Sequence, residues 1–504
     1  MSRAETLQPS GRMMDLLESA DQDRVRADLR AFFGPRADAF LGTYETMRRG
    51  LNGPRLYVRS WCWPGFFCAF AWFFYRKRYV EGAILVLLPL LTRMLFGLTF
   101  GVGAWAAFAV CAAVAVSAAA GAVKPYYVQA GLRRILKADA LCLSGAERSD
   151  YLRRAGGVSV AGGAIAGFGY FGVLALVLAW PSPPPTGSLP EIAAHGIAVL
   201  LCAVVPALAM LGYGVIKTRG RWGSGMLVEI YFVGAVSGLA ASAPEAIVRL
   251  GLHHLSPLLG AALTAFFASA LPEEAAKFFV LVFIALRHVD ARRMQDVILL
   301  ALAIAMGLTT LENVAYVAAP GNWKLMAFER AVTPAHGVLG LVMGALVVRA
   351  RLASEGAGLR WMLALLLPVL MHAAYDFPPM LGHMRPELSE VTFLLWVVVT
   401  TPLPILAVSI LNPALRAAVA ADHRTGRGGE SQAPALGPAA GGMIALVAVA
   451  AVIAMATLVS DDKPQLWLRA AQTAIPVILA LDLFDTAWRR RTGPEEASAV
   501  LPPP

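Results

Sequence analysis

From residue 80 onward the chain reads as a succession of apolar stretches, each roughly as long as a helix needs to be to cross a bilayer, about 20 residues for about 30 Å of hydrocarbon. The stretches lie near 80–98, 102–122, 158–180, 191–215, 226–248, 262–286, 296–318, 333–349, 361–380, 390–411, 441–459 and 465–487. Inside lipid every backbone N–H and C=O must find a partner within the protein, and an unbroken apolar run solves this as a helix. The expected fold is therefore all-α: a polytopic transmembrane helical bundle of about twelve spans. With 58% hydrophobic and 15% charged residues and a mean hydropathy of +0.62, a water-soluble fold of this length is excluded.

The formal charge of +10 does not indicate nucleic acid. Lys and Arg fall in short clusters at 123–157, 217–221, 287–293, 349–360, 416–427 and after 487, so every second loop is basic. This pattern predicts a multi-pass membrane protein with both termini in the cytoplasm. No cleaved signal peptide is evident before the first span, and the five cysteines show no metal or redox spacing.

The expected organisation is a cytoplasmic N-terminal region (1–60), an N-terminal membrane domain with its cytoplasmic loop (61–157), a connecting transmembrane pair (158–224), a core (225–411), a cytoplasmic linker (412–440), and a C-terminal transmembrane pair with tail (441–504). The aromatic segment from Trp61 to Tyr75, with Pro64-Gly65 and arginines on both sides, reads as one short interfacial or re-entrant piece. With Tyr126-Tyr127 and Arg133-Arg134 it resembles a domain of unknown function from small bacterial inner-membrane proteins, which implies no activity.

Glu273, Glu274, Lys277, Glu312, His336, His372 and Asp376 interrupt these apolar runs. A charged group at the centre of a bilayer helix costs about 2.5–3.5 kcal/mol on insertion scales, so such a cluster points to function. At about 1.5 Å per residue, Glu273 lies roughly 20 Å from Arg287 and Glu312 roughly 24 Å from Asp296. His372 and Asp376 come roughly 18 and 24 Å from Arg360, and His336 sits just inside the outer end of its span. All meet in the outer half of the bilayer. Glu273/Lys277, Glu312/Tyr316 and His372/Asp376 are each spaced i,i+4 and share a helix face. Structural readings stand beside this one. Glu274 with Lys277 can be a neutralised pair, and His336 after Thr333-Pro334 can be a first-turn histidine. Arg93, His195, His253, His254, Glu229, Glu245, Asp482 and Asp485 read as interfacial or structural.

The motifs Glu273-Glu274-Ala-Ala-Lys277, Leu311-Glu312-Asn313-Val-Ala-Tyr316, Arg330 with Thr333-Pro334-Ala-His336, and His372-Ala-Ala-Tyr-Asp376 occur in this order on consecutive spans. The succession resembles the PrsW family of intramembrane proteases, distant relatives of the CAAX prenyl endopeptidase and Abi group, over about residues 225–410. The resemblance implies a glutamate-dependent endopeptidase that cuts a single-span membrane protein, such as an anti-sigma-factor-like regulator. It implies Glu273 as the base for water, Glu274 and Lys277 tuning it, Glu312 holding the water, His336 and His372 polarising the carbonyl, and Asn313 as a supporting group. Asp376 stands where an asparagine is common; a carboxylate donates only when protonated, so its expected role is to orient His372. No cofactor is expected, although two glutamates and two histidines are adequate zinc ligands. A proton-coupled transporter or channel is the alternative, because Glu/His relays serve pumps too. A catalytically idle relative that binds membrane partners is the third reading.

Overall fold

In the computed structural model, residues 9–50, 53–100, 104–179, 188–218, 225–252, 254–319, 326, 330, 334–426, 478–479 and 481–483 are described. Every element among them is helical, and eight helices are long and apolar enough to cross a membrane. Of the twelve expected spans, 441–459 and 465–487 lie outside the described residues save 478–479 and 481–483. Three others depart from single long helices, 390–411 being divided between Ser389–Thr400 and Pro402–Arg424. The stretch 262–286 breaks into α12 (Pro257–Ala265), a π turn (Phe266–Ala270) and α13 (Leu271–Phe283), while α15 (Ala335–Arg351) has 17 residues.

The chain divides into two compact units. The first comprises Met1–Phe171, Trp180–Thr186 and Val282–Ala291. It contains α1 (Pro9–Glu18), α2 (Gln22–Phe33), α3 (Asp38–Arg48), α4 (Trp63–Phe67), α5 (Ala69–Tyr75), α6 (Tyr79–Phe100), α7 (Ala104–Ala140) and α8 (Gly145–Ala155). Residues 123–140, expected in a loop, continue α7 instead. Their Val123, Tyr127, Val128, Leu132 and Ile135 recur at helical spacing and are buried, so the polar half of α7 has its own apolar stripe. Phe32, Phe33 and Phe40 pack their rings 5.0–5.4 Å from that of Tyr127. Arg148 clamps Asp28 at 2.7 Å and Asp139 at 2.7 Å. The aromatic piece 61–75 forms the two short helices α4 and α5.

The second unit comprises Gly172–Ala179, Gly187–Leu281 and Arg292–Pro504, and α9 (Val160–Ala179) runs from one unit into the other. Its centre is α14 (Met294–Ala318), buried along nearly its whole length and flanked by α10 (Leu189–Thr218), α11 (Gly225–Leu252) and α15. Between helices in lipid, close packing of small residues replaces the hydrophobic drive. Gly307 of α14 meets the backbone of Tyr231, and Gly234 of α11 meets that of Ile304, with no room for a Cβ at either crossing. Beyond α15 follow α16 (Ala357–Met384), α17 (Ser389–Thr400) and α18 (Pro402–Arg424). Residues 412–424, expected in a linker, extend α18. Leu411, Ala414 and Ala418 are buried, and Asp422 accepts from Met294 N at 2.6 Å and from Gln295 N and Nε2 at 3.2 Å, capping α14 from outside.

Candidate active site

Four elements supply the polar cluster: α13, α14, α15 and α16. Pro272 lies in the first turn of α13, directly after the π turn, with Glu273 and Glu274 next. A π turn inserts one extra residue per turn and recurs at functional sites, because it re-aims the side chains around it. Here it carries Ser269, whose buried hydroxyl donates to Asp376 Oδ2 at 2.5 Å.

The two adjacent glutamates face different neighbours, as their offset of about 100° requires. Glu274 is fully buried and occupied: its Oε1 accepts from Lys277 Nζ at 2.6 Å and lies 3.0 Å from His372 Nδ1. Glu273, also buried, has its Oε2 3.7 Å from His336 Nε2 and without a hydrogen-bond partner among the described residues. Oε2 of Glu274 likewise has no hydrogen-bond partner among the described residues, so the two carboxylates differ in what holds them: Lys277 and His372 grip Glu274 through Oε1, while Glu273 has only His336 at 3.7 Å.

His336 links three elements. Lys277 Nζ stands 3.0 Å from its Nδ1, and Glu312 Oε2 stands 2.5 Å from its Nε2. An ammonium has only hydrogens to give, so Nδ1 accepts and the ring hydrogen sits on Nε2, where it donates to Glu312. Glu312 is further held by Arg330 at 3.3 Å, and Arg330 stacks 3.8 Å above the ring of Tyr316. His372 lies between Glu274 and Asp376, with Nε2 3.2 Å from Asp376 Oδ2, and its ring meets that of His336 edge-on at 4.9 Å.

Glu273, Glu274, Lys277, Glu312, His336, His372 and Asp376 are therefore gathered at one place. Asn313 is not among them. It faces α10, where its Nδ2 donates to Cys202 O at 2.8 Å, so it ties helices together outside the cluster. Three residues were given no role from the sequence. Ser269 carries no signal of its own, since its partner lies 107 positions away. Arg330 belongs to a quoted motif but gains a purpose only through Glu312. Glu245, set aside as interfacial, lies within electrostatic reach of Glu273, Glu312, His372 and Asp376. Asp482, by contrast, serves structure as expected, pairing with Lys217 at 2.8 Å.

One donor atom each from Glu273, His336 and His372 lies within 4.8 Å of the others. Two imidazoles and a carboxylate are a zinc-type donor set that leaves a fourth position open. The partnerless Oε2 of Glu273 is the kind of buried atom a cation would satisfy, and the residues fit a divalent metal once Nε2 of His336 gives up the hydrogen it shares with Glu312.

The family model described as PrsW family intramembrane metalloprotease matches residues 223–403. Protease PrsW of Bacillus subtilis is 28% identical over 184 residues, 36% of this chain and 82% of that protein. Protease PrsW of Halalkalibacterium halodurans is 30% identical over 181 residues, 35% of this chain and 81% of that protein, and that of Oceanobacillus iheyensis is 28% identical over 183 residues, 36% and 82%. No solved structure matches the chain. The polar cluster lies within the matched segment, the relatives are covered over most of their length, and this multi-pass membrane protein belongs to the PrsW family of intramembrane proteases.

Proposed function

We propose that the chain hydrolyses a peptide bond of a single-span membrane protein, of the kind an anti-sigma-factor-like regulator represents, in the outer half of a bacterial inner membrane. The alternation of basic loops supports this orientation, with both termini cytoplasmic. The observation that carries the reading is the difference between the two adjacent glutamates: Glu274 is gripped through Oε1 by Lys277 and His372, while the nearest charged partner of buried Glu273 is His336 at 3.7 Å.

In this mechanism Glu273 takes a proton from water as its oxygen adds to the scissile carbonyl carbon. Bond formation puts negative charge on the carbonyl oxygen, and the His372 ring, with one nitrogen on Glu274 and the other on Asp376, offsets that charge as a nearby cation rather than as a direct donor. The C–N bond then breaks, and the proton held on Glu273 passes to the leaving amine. Glu274 and Asp376 keep the His372 ring in place, at 3.0 and 3.2 Å, and Ser269 fixes Asp376. Glu312, anchored by Arg330, holds His336. Glu273, His336 and His372 are the residues that would hold a divalent cation, which when bound supplies Lewis-acid polarisation and a more acidic water. No observation favours the transport alternative.

The test is co-expression of a candidate single-span substrate with wild type and with Glu273→Ala. Cleavage by wild type alone is the expected result, and equal cleavage by both would overturn the role of Glu273. Proton-driven solute uptake by proteoliposomes, with no cleavage, would replace the protease reading altogether.

A further inference from the structure

Ahead of α4, residues 53–62 form no helix and exposure alternates along them: Arg55, Tyr57, Arg59 and Trp61 are exposed, while Leu56, Val58 and Ser60 are half-buried and Cys62 is buried. A period of two puts the four exposed side chains on one face. The strap is fixed at three points. Arg55 N donates to Met47 O at 2.7 Å, Gln129 Nε2 to Leu56 O at 2.6 Å, and Cys62 N to Ala120 O at 3.0 Å. The last two fasten it along α7, from Gln129 to Ala120, a rise of about 14 Å.

This stretch of α7 is the boundary between its two halves. Ala104 to Val123 is apolar, and Lys124 opens the basic half that includes Arg133, Arg134 and Lys137. The strap crosses the same boundary with the same polarity. Its arginines lie toward Gln129 and its tryptophans toward Ala120. There α4 adds an open aromatic cluster: Trp63 is 61% and Phe67 73% exposed, their rings stacked at 5.7 Å, with Trp61 5.6 Å from Trp63. So much open aromatic surface next to arginine is unfavourable in water. It suits a membrane interface, where amphipathic rings sit at headgroup level and each Lys or Arg adds attraction to anionic lipid. Among the described residues no carboxylate pairs with Arg59, so its charge is not already neutralised.

We propose that Arg55, Tyr57, Arg59, Trp61 and Trp63 form a face that binds the headgroups of anionic phospholipids. The two arginines take the phosphates and the tryptophans lie at the edge of the acyl chains. The segment lies outside residues 223–403, so this contact is separate from the matched protease region.

The experiment uses the full chain reconstituted in phosphatidylcholine bilayers, with trace spin-labelled phosphatidylglycerol or phosphatidylcholine reporting the motionally restricted lipid. Wild type is expected to prefer phosphatidylglycerol, and Arg55→Gln/Arg59→Gln to lower that preference about threefold or more with unchanged thermal unfolding. The control Arg30→Gln/Arg49→Gln removes the same charge from exposed positions on α2 and after α3 and is expected to retain it. Equal preference in wild type and Arg55→Gln/Arg59→Gln, or an equal loss in the control, would overturn the proposal. A photo-crosslinker at position 63 in native membranes is expected to yield lipid adducts; one discrete protein adduct instead would assign the face to a protein partner and overturn it.

Discussion

Ser269 Oγ lies 2.5 Å from Asp376 Oδ2, joining a π turn to a helix that begins only at Ala357. Asp376 thereby accepts from Ser269 on one side and holds His372 on the other. Its carboxylate is a fixed acceptor, which fits the expected role of Asp376 in orienting His372. Ser269→Ala leaves this oxygen short of a donor, at a cost of about 1–3 kcal/mol. We expect a lower unfolding temperature and slower cleavage, with Ser269→Thr restoring both. Asp376→Asn keeps an acceptor for Ser269, and we expect its cleavage rate to stay within about tenfold of wild type; a loss as large as that of Asp376→Ala would show that the charge itself is required.

Glu273 and Glu274 should separate function from stability. Glu273→Gln removes a charge with no hydrogen-bond partner at Oε2, so cleavage should vanish while the unfolding temperature holds or rises. Glu274→Gln leaves buried Lys277 and His372 without their carboxylate, and breaking a buried pair costs about 3–5 kcal/mol. Thermal unfolding in detergent, measured beside cleavage, distinguishes the two; equal destabilisation by both would refute the assignment.

The donor set of Glu273, His336 and His372 predicts a bound divalent ion. Elemental analysis of the purified chain should find about one equivalent per molecule, lost in His336→Ala and in His372→Ala. Absence of metal from an active wild-type preparation, with cleavage indifferent to chelators, would instead favour water activated by glutamate alone.

Asp290 lies in the turn between α13 and α14, gripped by Lys137 at 2.6 Å and Arg134 at 3.0 Å. Partial burial raises the pKa of its carboxyl, but the two cations outweigh this and bring it from 3.8 to about 2. The folded value is depressed, so the stabilisation is present above the unfolded value near 4 and disappears as pH falls toward 2. It amounts to about 2 kcal/mol. Asp290→Asn should unfold more easily than wild type at pH 5 and no differently at pH 2; a constant gap across that range would refute the ion pairing.

Asp422 caps α14 from another helix. Asp422→Ala removes acceptors for two backbone N–H groups at the start of the central helix, at a cost of about 1–2 kcal/mol. Hydrogen exchange at Met294 and Gln295 should accelerate, and unchanged exchange would argue against the cap.

The sequence by itself determined that this chain is a membrane helical bundle, because an apolar run of bilayer length has only the helix as a way to satisfy its backbone. It also singled out the polar positions, since each ionisable group inside such a run is costly, and their order carried the family. Tertiary structure alone decided their relations. Spacing offers Lys277 either Glu273 at i,i+4 or Glu274 at i,i+3, and packing settles it on Glu274, while Asn313, next to Glu312, turns to α10. Ser269, Arg330 and Glu245 enter the site's surroundings only when the π turn, Arg330 and α11 come beside α14 and α16. The continuations of α7 to Ala140 and α18 to Arg424 were hidden for the same reason: polar, Ala-rich sequence becomes helix there because a buried stripe or a distant cap supports it, and such support comes from residues remote in the chain.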